Sequence, residues 1–313
     1  MKILTSLAEY HYFNGLAALI NSVVKNGTYV DKIIIGYRGP LPSWLPPLTA
    51  TNRGQSCLLK SGVEMELILM EKNVHMVHEK PRWFQYLTEV LEPDASEFFF
   101  FDSDIVILKR MTFFGEWVKE GVALCEDVNN DMNYNHPIRK QWANMAVEDG
   151  IKIKNPGVGR YYNSGFIGWT RENAGFINDW ITSFDILAKK SGGLIKARVH
   201  DRTHTVLSTN QDSLNLSTMI TEFPIATMGP EAMGFRSGLA LMSHPIGKKK
   251  PWKRHFIKDF FSGAPPRMSD LFFWENVCGS ELQPYSNAKA KNKAVLCKFL
   301  RGMSRFYKGD VSF

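Results

Sequence analysis

Two kinds of apolar pattern alternate along the first two thirds of the chain. Unbroken or β-branched apolar runs predict strands at residues 2–7, 30–39, 64–70, 121–127 and 163–169, and a further one from residue 98 onward. Apolar residues spaced as on one face of a helix predict helices at residues 13–27, 81–91, 172–190 and 210–220. Strands that alternate with helices predict an α/β fold with a Rossmann-like, mostly parallel central sheet flanked by helices.

No internal repeat or linker divides the sequence, so we expect one domain over residues 1–259 and a C-terminal helical extension over residues 260–313. The extension contains a basic amphipathic segment, with apolar residues at helical spacing and cations between them: Leu296, Phe299, Leu300 and Met303 with Lys298, Arg301 and Arg305. Such a helix suits peripheral contact with an anionic membrane surface. The alternative, a terminal helix docked on the protein's own domain, stays open on the sequence.

Composition excludes several classes of protein. With 44% apolar and 22% charged residues, the 313-residue chain is an ordinary globular protein. Its four cysteines form no Cys-x-x-Cys pair, which argues against a zinc cluster or a disulfide framework. No run approaches the roughly 20 apolar residues of a membrane span. We therefore expect a cytoplasmic protein, or one on the cytoplasmic face of a membrane.

The net charge of +7 is concentrated in residues 248–254 and 289–308. Such basic clusters suit the phosphates of a nucleotide, a nucleic acid or a lipid headgroup, although a solvated basic face has the same pattern. No helix-turn-helix, zinc finger or RNA-binding motif accompanies them, so nucleic acid is not an expected partner.

The segment "FFFFDSDIVILKR" places two carboxylates inside an apolar run. On a strand, Asp102 and Asp104 point the same way and Ser103 the other. Two neighbouring anions at low dielectric repel each other, and a divalent cation would remove that conflict. The alternative is a solvated bend where the strand leaves the core.

Three later motifs add polar groups. "YYNSGFIGW" presents Asn163 at the start of a strand, and "NQDSLNL" presents Gln211 and Asp212 at a helix start. "HPIGKKKPW" sets His244 and Lys250 in one loop, an imidazole that can join two carboxylates around Mn²⁺ and a cation for a diphosphate. Each motif alone is also compatible with a structural role.

Taken in order, "DSD", "NSG", "NQDSLN" and "HPIGKKKPW" resemble the motifs of the retaining glycosyltransferases of the GT-A fold, most closely family 8. That family includes glycogenin and the bacterial lipopolysaccharide galactosyl- and glucosyltransferases. The resemblance covers residues 2–255 and matches the last motif over nine positions. It implies a GT-A fold and a UDP-sugar as the donor substrate.

By position, the resemblance makes Asp102, Asp104 and His244 the ligands of Mn²⁺, or of Mg²⁺. Gly247 and Lys250 close over the diphosphate of the UDP-sugar.

The resemblance assigns Asn163 and Gln211 to the donor sugar, with Asp212 beside them, as catalytic residues. The family also has a donor-binding Lys or Arg before Asp-x-Asp; Lys80 and Arg82 are the candidates here, at a longer spacing, and we take Arg82 for this role.

Nucleotide binding is assigned to the first strand and its loop, from Thr5 to Tyr12, together with Asp102 and Ser103. One departure from the family's motifs matters for the donor: the first Asp of the family's Asp-Gln-Asp is Asn210 here. An amide can bond sugar hydroxyls but cannot act as a carboxylate nucleophile, which leaves the identity of the donor open.

The implied function is metal-dependent, retaining transfer of a hexose to a glycan or lipid-linked acceptor in bacterial surface polysaccharide synthesis. Retention allows front-face attack by the acceptor or an intermediate that involves Gln211 or Asp212, and the sequence leaves both open. The second functional class is a non-catalytic binding protein for a nucleotide-sugar or a glycan, which the asparagine at position 210 supports. The acceptor, the linkage and the oligomeric state are not predicted.

Overall fold

The computed structural model describes residues 1–71, 74–130, 132–196, 204–247, 249–304 and 306. It is a mixed α/β structure with a large, mostly parallel central sheet flanked by helices, which confirms the predicted fold class. The strands are β1 (Lys2–Glu9), β2 (Lys32–Arg38), β3 (Thr49–Ala50), β4 (Gln55–Leu58), β5 (Glu64–Leu69), β6 (Glu97–Phe101), β7 (Val106–Ile107), β8 (Val122–Glu126), β9 (Tyr162–Thr170), β10 (Ile225–Met228) and β11 (Met242–Ser243). The helices are α1 (Phe13–Lys25), α2 (Lys80–Tyr86), α3 (Met111–Lys119), α4 (Pro137–Glu148), α5 (Gly175–Lys190), α6 (Thr209–Ile220), α7 (Phe256–Phe261), α8 (Met268–Asn276) and α9 (Asn287–Ser304).

The predicted strands and helices are present with shifted ends, except that the strand predicted from residue 98 onward is divided into β6 and β7. The helix predicted over residues 81–91 is α2 followed by a π-helical turn, Leu87–Leu91. The helix predicted from residue 172 begins at Gly175, because Arg171–Asn173 form a 3₁₀ turn.

The chain forms two compact units. Unit 1 comprises Met1–Lys2, Glu71–Phe100 and Phe114–Gly229, and unit 2 comprises Ile3–Met70, Phe101–Phe113 and the chain from Pro230 onward. The boundary expected at residue 259 stays a prediction.

Unit 1 contains strands in the order β10, β8, β9 and β6. β10 pairs with β8 in parallel, and β8 pairs with β9 antiparallel. Its core is rich in aromatic side chains: Phe98 stacks on Trp169 with ring centroids 5.2 Å apart, and Phe84 contacts Trp169 and Trp180. The phenylalanine run of the sequence is therefore buried, as an apolar strand requires.

Unit 2 contains β1, β2 and β5 as parallel neighbours, followed by the short antiparallel strands β4 and β3. The ends of β1 and β2, at Glu9 and Arg38, lie in register at one edge, where ligands of α/β sheets collect. A separate two-stranded sheet joins β7 to β11 in antiparallel pairing. Helices α8 and α9 share an apolar core with α1 and β7.

Helix α9 is docked through part of its predicted apolar face. Leu300 is buried, and Leu296 and Met303 pack against the same core, whereas Phe299 is 62% exposed. Arg305 lies outside the described residues. In the part of the chain that the structure describes, no helix has the length and apolar character needed to cross a membrane. Peripheral membrane contact stays a prediction.

The C-terminal segment is tied to α1 by one asparagine. The buried Asn21 donates through Nδ2 to the backbone oxygens of Asn276 (3.0 Å), Val277 (3.3 Å) and Leu282 (2.9 Å). Its Oδ1 accepts from the backbone N–H groups of Glu281 (3.2 Å) and Leu282 (3.0 Å). These bonds satisfy the backbone between α8 and α9, which has no sheet partner there.

Replacing Asn21 with alanine should destabilise the protein by on the order of 3 kcal/mol, because buried backbone groups would be left unpaired. Thermal unfolding should show a fall in Tm of several degrees. Asn292→Ala is the control, since Asn292 is exposed on α9 and its replacement should leave Tm nearly unchanged. Equal Tm values for the two variants would contradict the role given to Asn21.

Candidate functional site

The two aspartates of "DSD" lie in a turn that follows β6. The strand ends at Phe101, and the backbone N–H of Ile105 donates to the oxygen of Asp102 at 2.9 Å. The prediction of one continuous strand is therefore wrong at residues 102–105, because the chain turns there to enter β7. The turn is not a solvated bend: Ser103 and Asp104 are buried, and Asp102 is half-buried.

Pairing of β7 with β11 brings a histidine to this turn. Val106 pairs with Ser243, so the residues just before β7 lie beside the residue just after β11. His244 Nε2 lies 3.5 Å from Asp104 Oδ1 and 3.8 Å from Asp102 Oδ2. Among the described residues, these three form a group whose ligand atoms all lie within 4.8 Å of one another. Two carboxylate oxygens and an imidazole nitrogen fit Mn²⁺, and less closely Mg²⁺, which prefers oxygen ligands.

Lys250 supplies a buried positive charge beside the same carboxylates. Its Nζ lies 2.5 Å from Asp104 Oδ2 and donates to the backbone oxygen of Pro245 at 2.9 Å. Burial alone would raise the pKa of Asp104, but the charges of Lys250 and His244 lower it below the ordinary value. Burial lowers the pKa of Lys250, but Asp104 outweighs burial and raises it. Asp104 is therefore a carboxylate, and Lys250 an ammonium, at neutral pH.

Helix α1 approaches the turn closely because it has glycine in its first turn. A Cβ at Gly15 would meet the backbone oxygen of Ser103 at 2.5 Å and the indole of Trp252 at 2.9 Å. Any larger residue would push the helix away from the turn. Gly15 therefore fixes where the aspartates lie relative to the start of α1.

An aromatic cluster adjoins Lys250. The indole N–H of Trp252 donates to His11 Nδ1 at 3.0 Å, and His11 stacks on Tyr12 with ring centroids 4.7 Å apart. Burial and the charge of Lys253 lower the pKa of His11, so its ring is neutral and its remaining N–H is on Nε2. Tyr10, just before it, has φ of +48°, an uncommon backbone conformation for a bulky residue. The predicted nucleotide-binding loop is thus shaped around these rings.

In unit 1, an aspartate holds two of the predicted catalytic side chains. Asp127 Oδ2 accepts from Asn163 Nδ2 at 2.6 Å and from Gln211 Nε2 at 3.2 Å. Its other oxygen accepts from the backbone N–H of Asn129 at 2.6 Å. Asp127 and Asn163 are buried, and Gln211 is half-buried. The amides of Asn163 and Gln211 are therefore oriented by one carboxylate at the end of β8.

Asp212 is fully buried and its oxygens have internal partners. Oδ1 accepts from the Tyr161 hydroxyl at 2.6 Å, and Oδ2 accepts from the backbone N–H groups of Leu207 (2.6 Å) and Ser208 (2.9 Å). Burial, which outweighs these hydrogen bonds, raises the pKa of Asp212 to about 6. In the structure, Asp212 organises the start of α6, and its predicted catalytic role stays a prediction.

The raised pKa of Asp212 predicts a pH dependence of stability. At a pH between the ordinary pKa of an aspartate, about 4, and the pKa of about 6 in the folded protein, Asp212 is protonated in the folded state and ionised in the unfolded state. Proton binding by Asp212 therefore stabilises the folded state at low pH, and this stabilisation is lost as the pH rises through about 6. Asp212→Asn removes this titration. Wild-type Tm minus variant Tm should therefore fall between pH 4.5 and pH 7.5. A difference that is constant over this range would contradict the raised pKa.

Three other predicted or adjacent residues have partners of their own. The Thr5 hydroxyl donates to the backbone oxygen of Ile34 within the sheet of unit 2. In unit 1, Arg82 pairs with Asp185 at 2.8 Å on the surface, whereas the buried Lys80 donates to the backbone oxygen of Ser164 at 2.8 Å. Of the two candidate cations, Lys80 is therefore the one beside the Asn-Ser-Gly segment. The roles of Thr5 and Arg82 stay predictions.

Asn210 is fully buried. Its Nδ2 donates to the hydroxyl of Ser164 at 2.9 Å, and Trp180 donates to its backbone oxygen at 3.2 Å. This residue joins α6 to β9 in unit 1.

Asp127, which contacts two of the predicted catalytic side chains, was not singled out in the sequence analysis. The signal was present, because an acid at the end of the predicted strand 121–127 precedes a polar loop. Only the pairing of β8 with β9, which aligns Cys125 with Asn163, shows that Asp127 meets an amide of the neighbouring strand.

The fold described above is the GT-A fold of glycosyltransferases. The galactosyltransferase LgtC, solved in complex with donor and acceptor sugar analogues, matches with a TM-score of 0.56 and 13% identity over 93% of this chain and 99% of that one. The glycosyltransferase GlyE of Streptococcus pneumoniae TIGR4 matches with a TM-score of 0.53 and 13% identity over 97% of this chain, which spans 64% of the length of GlyE. No family model and no curated protein sequence matches the chain. The likenesses confirm the predicted GT-A fold and, at the level of fold, the resemblance to family 8.

Proposed function

We propose that the protein is a metal-dependent, retaining glycosyltransferase. It would transfer a hexose from a UDP-sugar to a glycan or glycolipid acceptor in the synthesis of a bacterial surface polysaccharide. The observation that carries the proposal is the cluster of Asp102, Asp104, His244 and Lys250 within a GT-A fold. Two carboxylates, an imidazole and an ammonium together suit a metal-bound diphosphate.

Unit 2 supplies the groups for the leaving nucleotide in this proposal. A metal ion held by Asp102, Asp104 and His244 would stabilise the negative charge that develops on UDP as the glycosidic bond breaks. Lys250 adds a fixed cation beside Asp104, and Gly247, with φ of +99°, lets the loop backbone approach a phosphate.

Unit 1 supplies the groups for the donor sugar in this proposal. Asn163 and Gln211 offer amide groups that can bond sugar hydroxyls, and Asp127 holds both in fixed orientations. Because Gln211 is half-buried, whereas Asp127 and Asn163 are buried, we assign Gln211 the direct contact with the sugar. Retention can proceed by front-face attack or through an intermediate that Gln211 stabilises.

The second candidate is a binding protein that retains the fold without turnover. Its support is Asn210, which replaces the family's aspartate and whose Oδ1 is buried without a hydrogen-bond partner in the described structure. A turnover assay separates the two candidates, because a binding protein would bind UDP-sugars without releasing UDP.

The test combines binding with turnover. Thermal unfolding is measured with UDP and Mn²⁺, separately and together, and a panel of UDP-hexoses is then screened for release of UDP by mass spectrometry. A ligand at a hundred times its Kd stabilises the folded state by roughly 2.7 kcal/mol, which gives a measurable rise in Tm. Stabilisation that requires both UDP and Mn²⁺, followed by release of UDP from one sugar, supports the proposal. Absence of any rise in Tm with UDP in the presence of Mn²⁺ or of Mg²⁺ would reject it.

A lipid-linked acceptor would be reached through the C-terminal helix. Its exposed Phe299 and Val295 lie among lysines that include Lys291 and Lys298. Co-sedimentation with anionic vesicles tests this contact, and binding equal to that with neutral vesicles would contradict it.

A further inference from the structure

The loop that carries the predicted diphosphate-binding residues has little structure of its own. Between the end of β11 at Ser243 and the 3₁₀ turn that begins at Pro251, the described residues form neither strand nor helix. Within it, the backbone N–H of Ile246 donates to the oxygen of His244 at 2.9 Å, and Gly247 is in the left-handed region. A loop of this kind needs outside contacts to hold one conformation.

Arg267, from the C-terminal segment, provides such contacts. Its Nη1 donates to the backbone oxygen of Ile246 at 2.5 Å, and its Nη2 donates to that of Lys249 at 3.2 Å. The two carbonyls lie on either side of Gly247, and Nη1 lies 3.8 Å from the position that a Cβ of this glycine would occupy. The guanidinium group therefore contacts the loop on both sides of Gly247.

Arg267 is itself held by a buried carboxylate. Its backbone N–H donates to Asp270 Oδ2 at 2.7 Å, and its Nη2 lies 3.4 Å from Asp270 Oδ1. Asp270 is fully buried and also pairs with Arg254 Nη1 at 2.6 Å. Arg254 in turn donates to the backbone oxygen of Ala264 at 2.6 Å and pairs with Asp259. This network fixes the guanidinium before it meets the loop.

We infer that Arg267 is a positioning residue that orders the loop around Gly247, so that the C-terminal segment takes part in binding the metal-bound nucleotide. The order of the loop follows from the contacts alone, whereas the identity of the ligand rests on the proposed function. An arginine suits this role because its planar fork can donate to two carbonyls at once, which the single ammonium of lysine does less well.

The test compares Arg267→Ala and Arg267→Lys with the wild type and with Arg110→Ala, a control at an exposed arginine of the same unit. Hydrogen exchange of peptides that cover residues 244–250 reports the order of the loop without any ligand. Isothermal titration with UDP in the presence of Mn²⁺ reports affinity. For Arg267→Ala, which loses both hydrogen bonds to the loop, we expect at least about tenfold faster exchange in the loop and at least about tenfold weaker affinity, since one hydrogen bond from a charged donor has that scale. Arg267→Lys should lie between the wild type and Arg267→Ala on both measurements.

Wild-type exchange in the loop of Arg267→Ala would overturn the inference. Faster exchange that is restricted to the loop supports it, whereas equal acceleration throughout unit 2 would show a general loss of stability and would overturn it. If the wild type binds no UDP with Mn²⁺ or Mg²⁺, the proposed function fails, and exchange still decides whether Arg267 orders the loop. If the wild type binds UDP and Arg267→Ala binds it equally well, the part of the inference that concerns the nucleotide fails by itself.

Discussion

Replacing Asp104 with asparagine should lower the rate of sugar transfer at least about a hundredfold, the scale of losing one electrostatic contact to the transition state. Asp104 is the buried carboxylate of the cluster, with one oxygen towards His244 and the other towards Lys250. An amide provides a weaker metal ligand and leaves the ammonium of Lys250 without its counter-charge.

The measurement is the initial rate of UDP release with saturating donor and Mn²⁺, together with the Tm shift that UDP and Mn²⁺ produce. Both should be lost in Asp104→Asn and kept in Asp94→Asn, which changes an exposed aspartate. Circular dichroism at the assay temperature shows whether the variant is folded, because loss of the buried ion pair also lowers stability. Near-normal turnover in a folded Asp104→Asn would exclude Asp104 from the metal site.

Replacing Asp127 with alanine should also reduce transfer at least about a hundredfold, for a different reason. Asp127 Oδ2 receives both amide donors, so its removal releases Asn163 and Gln211 from their fixed orientations. Misplaced positioning groups lose rate even when every reacting group is present. UDP lacks the donor hexose to which these amides are assigned, so stabilisation by UDP and Mn²⁺ should stay at the wild-type level.

Glu126→Ala is the matched control for Asp127→Ala. Glu126 precedes Asp127 at the end of β8, and its carboxylate pairs with Arg160 at 3.4 Å rather than with the amides. Its replacement should change transfer little. Equal losses of transfer rate in the two variants would mean that removing either side chain at the end of β8 disturbs the protein. Asp127 would then have no specific role in orienting the amides.

The regular elements could be predicted because their patterns are strong and local. The apolar run of β1, the helical spacing of α1 and the glycine that follows it each specify one element from short-range chemistry. The GT-A fold followed from the order of the motifs as well as from this alternation.

The sequence could not decide between a continuous strand and a bend at Asp102–Asp104, because apolar residues lie on both sides of this segment. What separates β6 from β7 is the pairing of β7 with β11, a contact with residues more than a hundred positions later in the sequence. The same pairing brings His244 to the aspartates. The group of Asp102, Asp104 and His244 was nevertheless expected, because the order of the motifs resembles that of family 8. The local apolar pattern alone does not indicate this long-range contact.

The side of a helix that a polar residue faces is also a tertiary property. Gln211 and Asp212 are neighbours at the start of α6, and the sequence pattern does not indicate which of the two is buried. Packing against Tyr161 buries Asp212, whereas Gln211 remains half-buried beside Asp127. Asp127 was missed for the same reason, since an acid before a polar loop is common at the end of a strand.

The division of unit 2 among three stretches of sequence has a consequence for folding during translation. Asp102 and Asp104 leave the ribosome well before His244, Lys250 and Arg267, with most of unit 1 between them. At a rate of synthesis of roughly 5–20 residues per second, these partners are made on the order of ten seconds after the aspartates. The synthesis of unit 1 is completed within that interval, so unit 1 can fold first, whereas α1 and β7 remain without the apolar cover that α8 and α9 provide. Early termination in the last fifth of the chain would therefore yield a protein with a complete unit 1, including Asp127 and its two amide partners, and an incomplete unit 2. We expect such a protein to aggregate rather than to keep part of its activity.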